Sequence, residues 1–310
     1  MSLEEMAKKI ETMEIRGAGR IARAGATGIK DFALEYKGGD DVAKFLSELR
    51  KARDFMLATR PTAVSLRNAV YYTLRGVKEE KTVQDMINRI VKNADEFIAL
   101  SEKALEKIGK IAEKRIQSGY NIMTTCNSHA ALAGIIRAHK SGKKVHVFAT
   151  ESRPKQQGFI TARELAKEGV PVTLICDSGV RHHMRMVDVC FVGADTVCSN
   201  GAVINKIGTS QLALAAHEAR VPFYVCAESF KFSQLTMSGE LVEIEERDWS
   251  EIADPKDFPG VKFSNPVFDA TPPEYISGII TEFGVIPAYA AYDIIIKQFG
   301  GFVFEDEDES

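Results

Sequence analysis

The chain has 310 residues, 45% hydrophobic and 27% charged, with a formal net charge of −3. Those values allow two globular domains and exclude a fibre or a disordered chain. The absence of a basic stripe argues against a nucleic-acid binder, and no run approaches the roughly 18 apolar residues of a membrane span.

The sequence opens Met1-Ser2-Leu3-Glu4-Glu5, acidic where a signal peptide is basic. From Met1 to about Gly119 the apolar residues recur at helical spacing. Val42, Phe45, Leu46, Leu49, Phe55 and Met56 trace one face; Ile87, Ile90, Val91, Phe97, Ile98, Leu105 and Ile108 trace another. Pro61, after Thr59-Arg60, marks a break between helices. This predicts an all-helical domain over residues 1–119. Within it, Arg16-Gly17-Ala18-Gly19-Arg20 sets arginines beside glycines, a combination that suits phosphate as well as a flexible turn before a helix. Arg60 is a further candidate cation, or a solvated surface residue.

After Gly119 short apolar runs alternate with amphipathic segments. Asn121–Cys126, Val145–Ala149, Pro171–Cys176, Val187–Val192 and Phe223–Ala227 read as strands. Ala130–Lys140, Phe159–Lys167 and Lys206–Arg220 read as helices. Strands apolar throughout predict a parallel sheet covered on both faces. The fold class is therefore α/β, with a Rossmann-like doubly wound domain over residues 120–310. An irregular connection lies near Ser233–Ser264, a last helix spans about Pro287–Phe299, and the acidic run Glu305–Glu309 reads as a solvated end. Apolar segments at Ile276–Ile280 and Val285–Ile296 predict an interface with a second copy. Five cysteines between Cys126 and Cys226, with no CxxC pair, point away from a disulfide scaffold or a zinc site and fit a reducing cytoplasm.

In such a sheet, ligands bind beyond the carboxyl ends of the strands. Cys126-Asn127-Ser128-His129-Ala130 follows the first strand, where a helix N-terminus favours thiolate over thiol. A buried structural cysteine is the opposing reading, and it is the one taken for Cys176, Cys190 and Cys226. Asp195 closes the strand ending Gly193-Ala194, as a catalytic carboxylate or a turn cap. Asn200-Gly201 makes a tight turn, and Asn205-Lys206-Ile207-Gly208-Thr209 opens the next helix with a Lys beside a Gly, suited to an anion. Lys231 follows the strand that ends near Ala227, and His182-His183 read as surface residues. Together one acid, one thiol and several cations indicate a phosphorylated metabolite and proton transfer, without naming the metabolite.

These motifs, with Glu151-Ser152-Arg153-Pro154, Gln157-Gly158 and Asn265-Pro266…Asp269-Ala270-Thr271-Pro272, resemble a known superfamily. It comprises methylthioribose-1-phosphate isomerases, ribose-1,5-bisphosphate isomerases and the regulatory subunits of initiation factor two B. Arg16–Arg23, Cys126–Ala130 and Ser229-Phe230-Lys231-Phe232-Ser233 look most like the archaeal ribose-1,5-bisphosphate isomerase branch. That branch implies a sugar-bisphosphate substrate in AMP salvage, with Cys126 as base at carbon 2 and a protonated Asp195 as donor to the ring oxygen. The thiol pKa would then be moved downward and the carboxyl upward. The resemblance places Arg16, Gly17, Ala18, Gly19, Arg20 and Arg60 at one phosphate, Lys206 and Lys231 at the other, and Ser128, His129, Ala130 and Asn205 around the sugar. It implies no metal and no cofactor, AMP as an activator, and a homohexamer built from dimers. The alternatives are a methylthioribose-1-phosphate isomerase and a non-catalytic regulatory subunit.

Overall fold

The fold is that of a computed structural model, which describes residues 2–238 and 241–299. The acidic run Glu305–Glu309 lies outside the described residues. The chain divides within one long helix into two compact units, Met1–Lys103 and a second beginning at Ala104. No described helix is long and apolar enough to cross a membrane.

The first unit is helical: α1 (Leu3–Glu11), α2 (Ala18–Glu35), α3 (Val42–Ala58), α4 (Val64–Leu74) and the start of α5 (Val83–Glu113). A capping box starts α1, with Ser2 Oγ accepting from the Glu5 N–H and the Glu5 carboxylate accepting from the Ser2 N–H. One face of α2 is built from small residues, among them Ala22, Ala26 and Ala33. Its neighbours can therefore approach closely around Ile10, Ile29, Phe45, Met56 and Leu66, which are fully buried.

The second unit carries β1 (Asn121–Thr124), α6 (His129–Lys140), β2 (His146–Thr150), α7 (Gln157–Lys167), β3 (Val172–Ile175), α8 (Val180–His183) and β4 (Val189–Val192). There follow β5 (Thr196–Val197), β6 (Val203–Lys206), α9 (Thr209–Ala219), β7 (Phe223–Cys226), β8 (Phe268–Thr271), β9 (Gly278–Thr281), β10 (Gly284–Ile286) and α10 (Ala291–Phe299). Seven strands form one sheet in the order β10-β9-β7-β4-β1-β2-β3, parallel except for the β9–β10 hairpin. Alternate residues of a strand enter different cores: Cys190 and Val192 on one, Val189 and Phe191 on the other.

Four expectations need correcting. Strand β3 is not covered on both faces, because it is the sheet edge and Leu174 is 43% exposed. Cys176, just past it, is exposed rather than buried for the same reason. The segment from Lys206 does not open a helix. Asn205 and Lys206 end β6, the middle strand of a second, antiparallel sheet in the order β5-β6-β8, and the helix starts at Thr209. His183 is half-buried, its ring 5.3 Å from that of Phe148, while His182 is exposed as expected.

Candidate active site

Strand β1 lies between β2 and β4, so the chain leaves β1 in opposite directions along the sheet. The crevice beyond the carboxyl ends of β1 and β4 is the topological switch point, where open α/β sheets place their ligands. Cys126 follows β1 and Asp195 follows β4, one on each side of it. The two loops are interlocked. A methyl group on Gly193 would run into Ser128 Oγ and Cβ, so only glycine lets the β4 loop come this close to the start of α6.

The Cys126 thiol and the Lys206 ammonium lie near enough to each other and to the Asp195 carboxylate for these charges to shift the ionisation of both. Burial above all, and the Asp195 carboxylate, push the thiol up to about 11 against the pull of the Lys206 cation. This reverses the downward shift read from the sequence. Helix α6 begins only at His129, behind its Ser128 cap, so Cys126 stands clear of the first turn where the dipole acts. Burial also lowers the pKa of Lys206, against the pull of Cys126 and Asp195. Its ammonium stands 4.9 Å from the centre of the Phe268 ring.

The backbone of Cys126 is left-handed, with φ 61°. Its N–H donates to Ser152 Oγ at 2.7 Å, and its carbonyl accepts from Thr161 Oγ1 at 2.7 Å. Ser152 itself has φ 59°, and its N–H donates to Asp177 Oδ1 at 2.8 Å. Asn127 Nδ2 donates to Thr161 Oγ1 and to Glu164 Oε2, each at 3.1 Å. Thr161 and Asp177 escaped the sequence reading, and Ser152 entered it only as a motif letter. No composition or periodicity signal marks a hydroxyl that holds another residue's backbone.

The start of α9, expected to attract phosphate, already holds an anion of the chain's own. Asp269, in β8, accepts from the Gly208 N–H at 2.7 Å and from the Ser210 N–H at 3.1 Å. Burial pushes its carboxyl up to about 6 despite those bonds and the nearby Lys206. Asn205 is buried, its amide donating to Thr209 Oγ1 at 2.9 Å, so it braces the same turn.

Lys231 is only 5% exposed and paired with Glu228, at 2.7 Å. Beside them Ser229 Oγ donates to Glu282 Oε1 at 2.6 Å. His129 opens α6 with its ring 3.9 Å from the Glu164 carboxylate, and Ala130 is buried. The structure thus gathers Cys126, Ser128, His129, Asp195 and Lys206 around one crevice. In the helical unit Gly17 caps α2 at φ 86°, Ala18, Gly19 and Arg20 form its first turn, and Arg16 Nε donates to the Met13 carbonyl at 2.7 Å. Ser65 Oγ donates to the Ala18 carbonyl at 3.0 Å, joining that turn to α4, which starts shortly after Arg60.

The Rossmann-like sheet thus carries a thiol, a carboxyl group and a lysine at its switch point. The sequence model of the Initiation factor 2 subunit family matches residues 14–288, and the chain belongs to that family. A ribose 1,5-bisphosphate isomerase from Archaeoglobus fulgidus is 52% identical over 98% of this chain and 96% of that protein. A methylthioribose-1-phosphate isomerase from Acetivibrio thermocellus is 39% identical over 95% of this chain and 90% of that protein. Among solved structures, the Pyrococcus horikoshii OT3 translation initiation factor eIF-2B superimposes with a TM-score of 0.80 at 31% identity. That match covers 92% of this chain and 96% of that one. The 5-methylthioribose 1-phosphate isomerase of the same organism gives 0.79 at 32% identity, covering 96% and 88%.

Proposed function

We propose that the chain converts ribose-1,5-bisphosphate to ribulose-1,5-bisphosphate in AMP salvage, with Cys126 as base and Asp195 as acid. The observation that carries the chemistry is the facing of Cys126, Asp195 and Lys206 across the switch point. The substrate follows from the relatives of that name at 52%, 48% and 47% identity.

The Cys126 thiolate takes the proton from carbon 2 while the bond from carbon 1 to the ring oxygen breaks. Asp195 gives its proton to that oxygen, leaving a phosphorylated enol. The enol hydroxyl then returns a proton to Asp195 as carbon 1 takes one from Cys126. Both groups end as they began. A protonated Asp195 also ceases to push the thiol up, so the acid form the ring oxygen needs is the form that helps Cys126 ionise. No step calls for a metal or a redox cofactor.

Lys206 is proposed at one phosphate, with Ser128, His129, Ala130 and Asn205 lining the sugar. Lys231 joins them only as half of a neutral pair with Glu228. Arg16, Gly17, Ala18, Gly19, Arg20 and Arg60 are proposed for the other phosphate. AMP is proposed as activator. Tyr289 and Tyr292 are exposed just before and within α10, which fits the proposed dimer-based hexamer. Five free cysteines fit a cytoplasmic setting.

Turnover of ribose-1,5-bisphosphate and methylthioribose-1-phosphate, measured side by side, tests the reading. The bisphosphate should be the faster substrate, and Cys126→Ser and Asp195→Asn should each lose about 10²–10⁴-fold in kcat. Faster conversion of the methylthio sugar moves the chain to the other isomerase branch. Near-parental turnover in Cys126→Ser removes the thiol from the mechanism.

A further inference from the structure

The reaction proposed above uses the Cys126 side chain and leaves its backbone unexplained. A cysteine at φ 61° occupies a region that residues with a Cβ seldom enter, and such a conformation persists only where its surroundings over-determine it. Strand β1 ends at Thr124, so the sheet ladder does not hold Cys126. Side chains do. Its N–H is taken by Ser152 Oγ beyond β2, and its carbonyl by Thr161 Oγ1 on α7, each at 2.7 Å.

The first of these hydroxyls is itself fixed. Ser152 Oγ stands 3.2 Å from both Thr125 Oγ1 and Thr150 Oγ1, which are 2.7 Å from each other, and all three residues are buried. The Ser152 N–H and the Arg153 N–H are both tied to the Asp177 carboxylate at 2.8 Å. The second hydroxyl belongs to a fully buried residue in the body of a helix. The loop after β2 and helix α7 thus grip the one residue from both sides of its α-carbon. Hydroxyls do this without adding charge, whereas carboxylates near the thiol oppose its ionisation, as Asp195 and Asp177 do.

We infer that Ser152 and Thr161 are positioning residues that clamp Cys126 in its left-handed conformation and so fix the direction of its thiol across the switch point. The inference rests on the reading of Cys126 as the base. Released from the clamp, Cys126 relaxes toward ordinary backbone angles and its Cβ swings, which misplaces the sulfur relative to carbon 2.

The test compares Thr161→Val, which keeps the shape and loses the hydroxyl, with Thr161→Ser, which keeps the hydroxyl. Ser152→Ala is the independent second release. Thr161→Val and Ser152→Ala should each lower kcat about 10–100-fold with KM for ribose-1,5-bisphosphate within about two-fold, the signature of a displaced reacting group. Thr161→Ser should recover to within about three-fold of the parent. The pH profile of Cys126 alkylation by iodoacetamide should shift in the two released variants and not in Thr161→Ser. Parental kcat and a parental alkylation profile in both released variants, alongside an inactive Cys126→Ser, overturn the clamp alone. An equal loss in Thr161→Ser and Thr161→Val overturns it as well. Normal turnover in Cys126→Ser overturns the reading of the reaction, and the clamp's role falls with it. If Thr161→Val does not fold, Ser152→Ala decides by the same two measurements.

Discussion

Two lysines are buried in the second unit, and the structure treats them differently. Lys206, 7% exposed, ends a strand and faces a thiol and an acid that belong to the proposed reaction. Lys231, 5% exposed, is tied to Glu228, which is 2% exposed. Sequence places both at the carboxyl edge and assigns both to one phosphate. Burial alone therefore says little about what a cation does. A lysine with a buried carboxylate beside it brings no net charge to an anion, whereas one held among groups that change protonation during turnover does. The comparison teaches that the partner of a buried charge decides its role.

The largest expected effect breaks the neutral pair. Lys231→Met leaves Glu228 buried without its cation, at a cost of about 3–5 kcal/mol in unfolding free energy. Glu228→Gln combined with Lys231→Met should recover most of it in a denaturant titration. Unchanged stability with a steeply raised KM for the bisphosphate would place Lys231 on the phosphate after all. Lys206→Met should act in the opposite way. Removing a buried ammonium relieves a desolvation cost, so stability should hold or rise. Turnover should nevertheless fall about 10²–10³-fold, as on losing one preorganised electrostatic group. Alkylation of Cys126 at fixed pH should slow in this variant, because without the Lys206 cation the thiol is pushed up further still.

The third effect concerns Asp269, which lies near Lys206 and caps α9. Its carboxyl pKa is raised from 3.8 to about 6, so the folded chain holds this proton more tightly than the unfolded chain does. Its contribution to stability is fully present below about pH 4 and is lost as pH rises through 6, a span of at most about 3 kcal/mol. Asp269→Asn should abolish that slope. The difference in unfolding free energy between parent and variant, measured at pH 4 and pH 7, should shift by that amount in the variant's favour. The smallest effect belongs to α6, whose cap is a neutral hydroxyl. Ser128→Ala should cost about 1 kcal/mol, equally at both pH values.

Much of this was legible in the sequence. The runs that became β1, β2, β4 and β7 are mostly apolar and mostly buried over four or five positions, as strands covered on two faces require. The turn glycine Gly201 and the loops holding Cys126 and Asp195 followed from strand ends. The second sheet was not legible. Thr196–Val197 is two residues long, and Val203–Lys206 ends in the lysine at which the sequence predicts a helix to start. Phe268–Thr271 carries an aspartate whose partner, the Gly208 N–H before α9, lies 61 residues back along the chain. Nor does sequence announce a positive φ at a cysteine. The turn before α9 was expected to take phosphate; in the structure Asp269, from a strand that the apolar pattern does not show, accepts from its N–H groups.

The contact of Gly193 with Ser128 has a mechanical consequence. Because no atom fits between them, the loop bearing the acid and the loop bearing the base share a hard stop. Thermal fluctuations that push one loop inward must carry the other with it, and only outward excursions are independent. The spacing of Cys126 and Asp195 is thereby bounded from below by this steric contact. Relaxation measurements on the two loops should accordingly find their slow motions correlated, and a side chain at position 193 should both uncouple them and widen the gap.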